Sequence, residues 1–196
     1  GQTPAAIRDL ESAAAAAGDQ PNLLYFIAGI FHQLGEKTRT EALMERALQI
    51  DPGHISSNND LAYFYSEAGV QLTRAEAMAR RAVAAEPENS AYLDTLGWVL
   101  YKQSRFAEAI VQLRQAVANA SPIDPVLIDH LGDAEYRLGD VESATKQWRA
   151  AQELLSTMRT SREEHVRLRV ELQNKLRQRA EGQAVEVAPV TSVDEK

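Results

Sequence analysis

A pattern of about 34 residues that occurs four times constrains this chain more than any other feature of its 196 residues. Small residues mark the same point of each unit, because Ala28, Ala62, Gly97 and Gly132 follow one another at intervals of 34, 35 and 35 residues. Apolar residues flank each of these points at similar offsets. A fixed period of this length is typical of arrays in which each unit packs only against its neighbours.

The third unit, residues 92–116, contains two helical patterns separated by a short turn. Four packing residues lie on one face of the first helix: Leu93, Leu96, Gly97 and Leu100. Three more form a stripe on the second helix: Ala109, Leu113 and Ala116. Residues 103–105 leave room only for a tight turn, so the two helices are expected to form an antiparallel hairpin. Gly97 and Ala109 allow the helix axes to approach closely, because their side chains are absent or minimal.

The spacing W-x2-L-G-x2-Y, followed by A-x3-F and then P, is the signature of one repeat family. By this spacing, residues 92–116 resemble a tetratricopeptide repeat (TPR), and the resemblance covers about residues 5–155. It implies an all-α fold, a TPR α-solenoid in which helix-turn-helix hairpins form a right-handed superhelix with a long C-terminal capping helix. Residues 59–69 and 92–102 are also similar to repeats of bacterial multi-repeat proteins, some of them envelope scaffolds or adaptors.

The repeat pattern divides the chain into seven segments. We expect the second helix of a truncated preceding repeat, four TPRs, a capping helix and a flexible tail, in the order 1–20, 21–53, 54–88, 89–123, 124–156, 157–182 and 183–196. The first residues of the chain resemble the interior of a helix whose start is missing, and they lack the basic and apolar regions of a signal peptide. We therefore interpret the chain as an excised fragment, with Gly1 left by tag cleavage.

Residues 157–182 are rich in Arg and Glu and carry the narrow apolar stripe of a single helix. The stripe repeats at intervals of three, four or seven residues and consists of Met158, His165, Leu168, Leu172 and Leu176. Such a helix can cap the apolar face of the last repeat, and the alternative is a coiled-coil or dimerisation helix. Residues 183–196 have no helical period and are expected to form a flexible tail, which could lie in a groove of a neighbouring molecule.

Charge and composition exclude several classes of function. The chain has 21 Lys and Arg against 28 Asp and Glu, a net charge of −7, and no cysteine. Disulfides, thiolate metal sites and cysteine nucleophiles are therefore excluded, and the lack of a basic stripe argues against nucleic-acid binding. No apolar run approaches the ~20 residues that cross a bilayer, so we expect a soluble chain that inserts into no membrane, in the cytoplasm or the periplasm. The acidic balance favours neutral or basic partners.

The resemblance implies that partners bind in a concave groove lined by the first helices of the repeats. Ten residues fall at groove positions in repeats two to four: Asn59, Tyr63, Asp94, Trp98, Tyr101, Lys102, Asp129, Asp133, Tyr136 and Arg137. This set favours a protein or peptide that carries Lys or Arg, because aromatic side chains give rigid contact area and carboxylates attract cations. The alternative is that Trp98 and Tyr101 pack against the next repeat. In that case Asp94 and Asp133 would form a solvated face.

Catalytic and metal-binding motifs are not evident in the sequence. The four histidines lie in different elements, without HExxH or other ligand spacing: His32, His54, His130 and His165. Asp129, His130 and Asp133 come nearest to a metal site, and a structural role is the favoured interpretation of this histidine. Nucleophile elbows and glycine-rich phosphate loops are also absent from the sequence. We therefore predict no enzyme activity, no cofactor and no bound metal.

These observations favour a protein-interaction scaffold or adaptor that binds a peptide or a helix of a partner protein in the groove. The alternative is a structural self-assembly module that oligomerises through the C-terminal helix or tail, in which case the partners are copies of the chain. A regulatory arm of a larger enzyme is a third and weaker hypothesis.

Overall fold

The computed structural model describes residues 3–191, which form ten helices. In chain order they are α1 (Thr3–Ala16), α2 (Pro21–Gln33), α3 (Lys37–Ile50), α4 (Ile55–Ala68), α5 (Leu72–Ala85), α6 (Ser90–Lys102), α7 (Phe106–Asn119), α8 (Pro125–Arg137), α9 (Val141–Thr157) and α10 (Glu163–Ala180). Consecutive helices pair as hairpins, α2 with α3, α4 with α5, α6 with α7 and α8 with α9, and each hairpin packs against the next. None of these described helices is long and apolar enough to cross a membrane. The prediction of an all-α array of helical hairpins is confirmed.

Small residues explain why the two helices of a hairpin lie so close together. A Cβ atom added to Gly97 would lie 2.6 Å from Cγ of Leu113, and one added to Gly132 would lie 2.7 Å from Nε1 of Trp148. The alanines at the same position of the first two hairpins are completely buried. A larger side chain at this position would therefore push the two helices of its hairpin apart.

Residues in the left-handed backbone conformation reverse the chain after the first helix of each hairpin. Glycine fills this role in three hairpins, with φ of 76° at Gly35, 67° at Gly69 and 93° at Gly139. In the third hairpin Ser104 adopts φ of 62°. Because a residue with a Cβ atom pays a steric cost in this conformation, Ser104 stores strain that the glycines avoid.

The core follows the array as three apolar clusters. The first joins α1, α2 and α3 around Leu24 and Phe31. The second extends from α2 to α8 and includes Leu61 and Leu96. The third surrounds Trp148 and joins α8, α9 and α10. Each cluster is built between neighbouring elements, which is the energetic pattern of a repeat array.

The helix after the last hairpin is shorter than residues 157–182. Helix α9 continues to Thr157, and α10 begins at Glu163. Helix α10 packs against α9 and α8 and buries His165, Leu168 and Leu172. Its opposite face is exposed to solvent and is polar except for the side chains of Val166 and Val170, which are also exposed.

Residues 183–191 belong to the segment that the sequence predicted to be a flexible tail. They leave α10 at Gly182, where φ is 70°, and continue as a non-helical stretch against the repeats. Val185 is buried and belongs to the third apolar cluster. Backbone hydrogen bonds and the buried side chain of Val185 place this stretch against the repeats, contacts that the sequence did not predict. Its flexibility stays a prediction. Residues 192–196 of the predicted tail lie outside the described residues.

Candidate functional site

Helices α4, α6 and α8 form one wall of a groove, α10 forms another, and residues 183–191 lie across it. The groove contains a cavity of about 470 Å³. Its lining includes Tyr63, Glu67, Trp98, Lys102, Asp129, His130, Asp133, Leu168, Glu171, Lys175, Val187, Ala188 and Pro189. We call this surface the C-terminal groove. The chain's own C-terminal region closes it on two sides.

The ten predicted groove residues lie on or beside this cavity, and the chain itself shields most of them from solvent. Seven are buried: Asn59, Asp94, Trp98, Tyr101, Lys102, Asp129 and Asp133. Tyr63 and Tyr136 are partly exposed, and Arg137 is exposed. Asn59 and Asp94 line an adjoining recess of about 270 Å³. The surface that the repeat pattern predicted to be open is therefore largely covered.

An aromatic stack crosses the groove from α6 to α8. The Trp98 ring lies between Tyr101, at a centroid distance of 4.6 Å, and His130, at 3.8 Å. The indole N–H of Trp98 donates to Oε1 of Glu67 on α4, at 2.7 Å. Nζ of Lys102 lies 5.0 Å from the Trp98 ring centroid. Trp98 thus packs against both neighbouring hairpins and joins three successive hairpins. It also lines the cavity.

His130 pairs with the carboxylate of Asp94. Nδ1 of His130 lies 2.9 Å from Oδ1 of Asp94, and both side chains are buried. Burial opposes the protonated imidazole, but the adjacent Asp94 carboxylate outweighs it and raises the pKa of His130. When the imidazole is protonated, the pair is an ionic contact between α6 and α8.

Lys175 of α10 is buried between two carboxylates of α8. Its Nζ lies 2.8 Å from Oδ1 of Asp129 and 2.5 Å from Oδ1 of Asp133. Burial opposes the ammonium charge, but the two carboxylates outweigh it and raise the pKa of Lys175. Burial and the neighbouring Asp133 raise the pKa of Asp129 to about 7, because one ammonium cannot neutralise two carboxylates. These groups fasten α10 to α8.

The three aspartates of the groove are therefore already paired inside the chain. Asp94 is paired with His130, and Asp129 and Asp133 are paired with Lys175. The expectation of a solvated acidic face at Asp94 and Asp133 is wrong, since both are buried. Because these three carboxylates already have cationic partners within the chain, they no longer argue for a basic binding partner.

Residues 185–191 lie in the C-terminal groove as an extended segment bound through its backbone. The N–H of Val185 donates to Oη of Tyr136 at 2.8 Å. The N–H of Ala188 donates to Oδ2 of Asp133 at 3.0 Å. The carbonyl of Ala188 accepts from Oη of Tyr101 at 2.5 Å and from Nη2 of Arg137 at 3.0 Å. Four predicted groove side chains thus hold an extended polypeptide, and that polypeptide is part of the same chain.

Sequence reasoning missed the residues that the C-terminal region contributes to the site. Lys175 lies on the same face of α10 as Leu168 and Leu172, seven and three residues after them. A lysine inside an apolar stripe was the available signal, because such a position requires a buried counter-ion. Ala188 gave no comparable signal, since its contacts are made by backbone atoms.

The metal site considered at Asp129, His130 and Asp133 does not form among the described residues. His130 faces Asp94, whereas the two aspartates face the ammonium group of Lys175. Within residues 3–191 no three His, Asp or Glu side chains are grouped to hold a metal ion. His130 instead joins α8 to α6 through Asp94 and Trp98.

A second opening lies at the other end of the same surface, between α2, α4 and the start of α10. It is a recess of about 670 Å³, lined in part by Gly29, His32, Phe64 and Glu164. A Cβ atom added to Gly29 would meet no described atom within 4 Å. The groove surface is therefore open toward the N-terminal hairpins and covered toward the C-terminal ones.

Solved structures with a similar fold were found by comparison. PilW, titled a widely conserved type IV pilus biogenesis factor, superposes with a TM-score of 0.72 at 20% identity, covering 92% of this chain and 79% of PilW. Residues 41 to the end of MamA from Desulfovibrio magneticus RS-1 give a TM-score of 0.67 at 21% identity, covering 82% of this chain and 89% of that one. YrrB, titled a TPR protein with an unusual peptide-binding site, gives 0.60 at 19% identity, covering 88% and 97%. At these identities the likeness concerns the fold.

Sequence comparisons identify the family. The chain is 30% identical over 116 residues to TPR repeat-containing protein PA4667 of Pseudomonas aeruginosa, a match that covers 57% of this chain. The chain spans only 19% of the length of that relative. A family model described as tetratricopeptide repeat matches residues 1–55 and 71–125, more than half of the chain. The chain therefore belongs to the tetratricopeptide repeat family.

Proposed function

We propose that this chain is a protein-interaction scaffold whose C-terminal groove binds an extended segment of a partner protein. The observation that carries the proposal is the mode in which the groove holds residues 185–191. Groups of α6 and α8 donate to and accept from the backbone of this stretch, at Val185 and Ala188. Backbone recognition of this kind suits many sequences, since every residue offers the same N–H and carbonyl groups.

The family supports a scaffold function in general terms. Tetratricopeptide repeat proteins generally act as non-enzymatic interaction scaffolds. One structural neighbour, YrrB, is described as a TPR protein with an unusual peptide-binding site. The rigid stack of Trp98 on Tyr101 and His130 adds the preorganised aromatic surface that peptide binding sites use.

Binding to the groove is tested most directly when the chain's own segment has been removed from it. The released variant carries Val185→Asp, which places a charge in an apolar pocket, and Ala188→Asp, which places a carboxylate beside Asp133. A library of random nonapeptides is panned on this variant, and the enriched peptides are measured by fluorescence anisotropy. We expect peptides that bind with micromolar dissociation constants.

The same peptides are then measured on the released variant with two further changes, Tyr136→Phe and Arg137→Gln, which remove two groups that hold the segment. We expect roughly 30-fold weaker binding, since two hydrogen bonds are lost and each contributes about 1 kcal/mol. Arg149→Gln is the matched control, because Arg149 is an exposed arginine of α9 that does not line the groove. Enriched peptides whose affinity depends on neither Tyr136 nor Arg137 would contradict the proposal.

Self-assembly is the second candidate, favoured by two exposed apolar side chains on α10. Val166 and Val170 are half exposed and four residues apart, so they lie side by side on the outer face of the helix. In this case sedimentation velocity shows a concentration-dependent dimer that Val166→Glu with Val170→Glu abolishes. Gln173→Glu is the matched control on an exposed position of α10. A monomer at all concentrations excludes this candidate.

A further inference from the structure

The segment 183–191 crosses the groove along the C-terminal ends of three first helices. Val185 lies at Tyr136 near the end of α8, and the N–H of Thr191 donates to the carbonyl of Lys102 at the end of α6, at 3.1 Å. Thr191 also reaches the turn after α4, since a Cβ atom added to Gly69 would lie 2.7 Å from Oγ1 of Thr191. The segment therefore spans three hairpins, as a partner segment would.

Ala188 is the point at which the groove holds the segment most completely. Both of its backbone groups are bound, the N–H by Asp133 and the carbonyl by Tyr101 and Arg137. Pro189 follows directly. Because proline disfavours the helical conformation of the residue before it, Ala188 is preorganised in the extended form that these bonds require.

The side chains of the segment add a short apolar pattern. Val185 is 7% exposed and belongs to the cluster that contains Leu168 and Leu172 of α10. Ala188 and Val190 are partly buried against the larger cluster of the central hairpins. The intervening Glu186 is exposed. The pattern that fits the groove is therefore a branched apolar residue, as at Val185, followed three positions later by a small residue, proline and a second apolar residue, as at positions 188–190.

We infer that residues 183–191 are an intramolecular stand-in for the ligand, and that the partner is an extended segment with this same pattern, which binds by displacing them. The inference rests on the proposed function of the groove. The displaced part is small: one buried valine, three partly buried apolar side chains and a few backbone hydrogen bonds. It nevertheless competes at an effective concentration in the millimolar range, because it is tethered to α10 by only a few residues.

The experiment uses the fluorescent peptide QAVEVAPVT, which has the sequence of residues 183–191. Anisotropy titrations compare the wild-type chain with the released variant. We expect the released variant to bind the peptide at least tenfold more tightly, since its own segment no longer competes. A peptide with aspartate at the positions of Val185 and Ala188 is the matched control and is expected not to bind. Circular dichroism checks that the released variant keeps the helical content of the wild type.

Three outcomes would overturn the inference. The first is a peptide that does not bind the released variant, and the second is a peptide that binds both chains equally. The third is a wild-type chain that sediments as a dimer and becomes a monomer with Val185→Asp and Ala188→Asp, which would mean that copies exchange the segment. If QAVEVAPVT fails while library peptides still depend on Tyr136 and Arg137, this inference is wrong and the proposed function stands.

Discussion

Two identical substitutions, Gly132→Ala and Gly29→Ala, are expected to change stability in opposite directions. Each glycine lies inside the first helix of a hairpin, so the intrinsic helix propensity favours alanine by up to about 1 kcal/mol at both. At Gly132 the added Cβ would lie 2.7 Å from Nε1 and 2.8 Å from Cδ1 of Trp148. That indole is completely buried, and its N–H donates to Oδ1 of Asp133 at 3.0 Å.

The ring of Trp148 can move away only at a cost in free energy, because it is rigid and any shift strains its hydrogen bond to Asp133. Overpacking of this kind costs about 1–3 kcal/mol, and weakening of the hydrogen bond adds about 1 kcal/mol. After the gain in propensity is subtracted, Gly132→Ala should lower the free energy of unfolding by about 1–3 kcal/mol. Gly29→Ala should raise it by about 0.5–1 kcal/mol, since no described atom lies within 4 Å of the new methyl group.

Urea unfolding followed by far-UV circular dichroism measures both effects at one pH. The two variants should differ by about 2–4 kcal/mol, with the midpoint of Gly29→Ala above and that of Gly132→Ala below the wild type. Because the propensity contribution is shared, this difference isolates the contact with Trp148. Equal midpoints, or a shift of both variants in the same direction, would refute the packing argument.

Three further predictions concern the C-terminal groove and the third hairpin. Lys175→Met leaves two buried carboxylates without their cation, so it should lower the free energy of unfolding by about 3–5 kcal/mol and reduce the hydrogen-exchange protection of α10. Lys146→Met, at an exposed position, should lower it by less than about 0.5 kcal/mol. The pKa of Asp129 is raised to about 7, so the folded chain keeps a proton that the unfolded chain releases near pH 4, and stability from this group falls as pH rises to 7. Asp129→Asn should therefore flatten the dependence of the thermal midpoint on pH between about 4 and 7. Ser104→Gly should raise the thermal midpoint through about 1 kcal/mol of relieved backbone strain, and an unchanged midpoint would exclude that strain.

The fold was predictable from the sequence because its determinants repeat at a fixed offset. Gly97 and Gly132 each face a large side chain of the next helix, Leu113 or Trp148, about 16 residues later along the chain. Such contacts lie within one hairpin, and the remaining ones join neighbouring hairpins. A pattern that repeats along the chain therefore contains nearly all the information that the array requires.

The site was only partly predictable, because its decisive contacts are not periodic. Repeat positions correctly brought Trp98, Tyr101 and Asp133 to one surface, but they gave no information on what covers it. The covering elements are held by Lys175, which lies 46 and 42 residues after its two partners, and by backbone groups of Ala188. The lysine in the apolar stripe of α10 indicates a buried counter-ion but does not identify it, and a backbone hydrogen bond leaves no pattern in one sequence.

Asp133 shows how the groove can exchange its segment and keep its shape. Its carboxylate accepts from the ammonium of Lys175, from the indole of Trp148 and from the N–H of Ala188. Only the last of these donors belongs to the segment, so its departure leaves the contacts of α10 and α9 in place. A partner that offers an N–H to Asp133, and a carbonyl between Tyr101 and Arg137, restores the bonds it breaks at this point. The free-energy difference between the two states is then set by side chains and by the tether. Those are the two quantities that the peptide titrations of the released variant and the wild type separate.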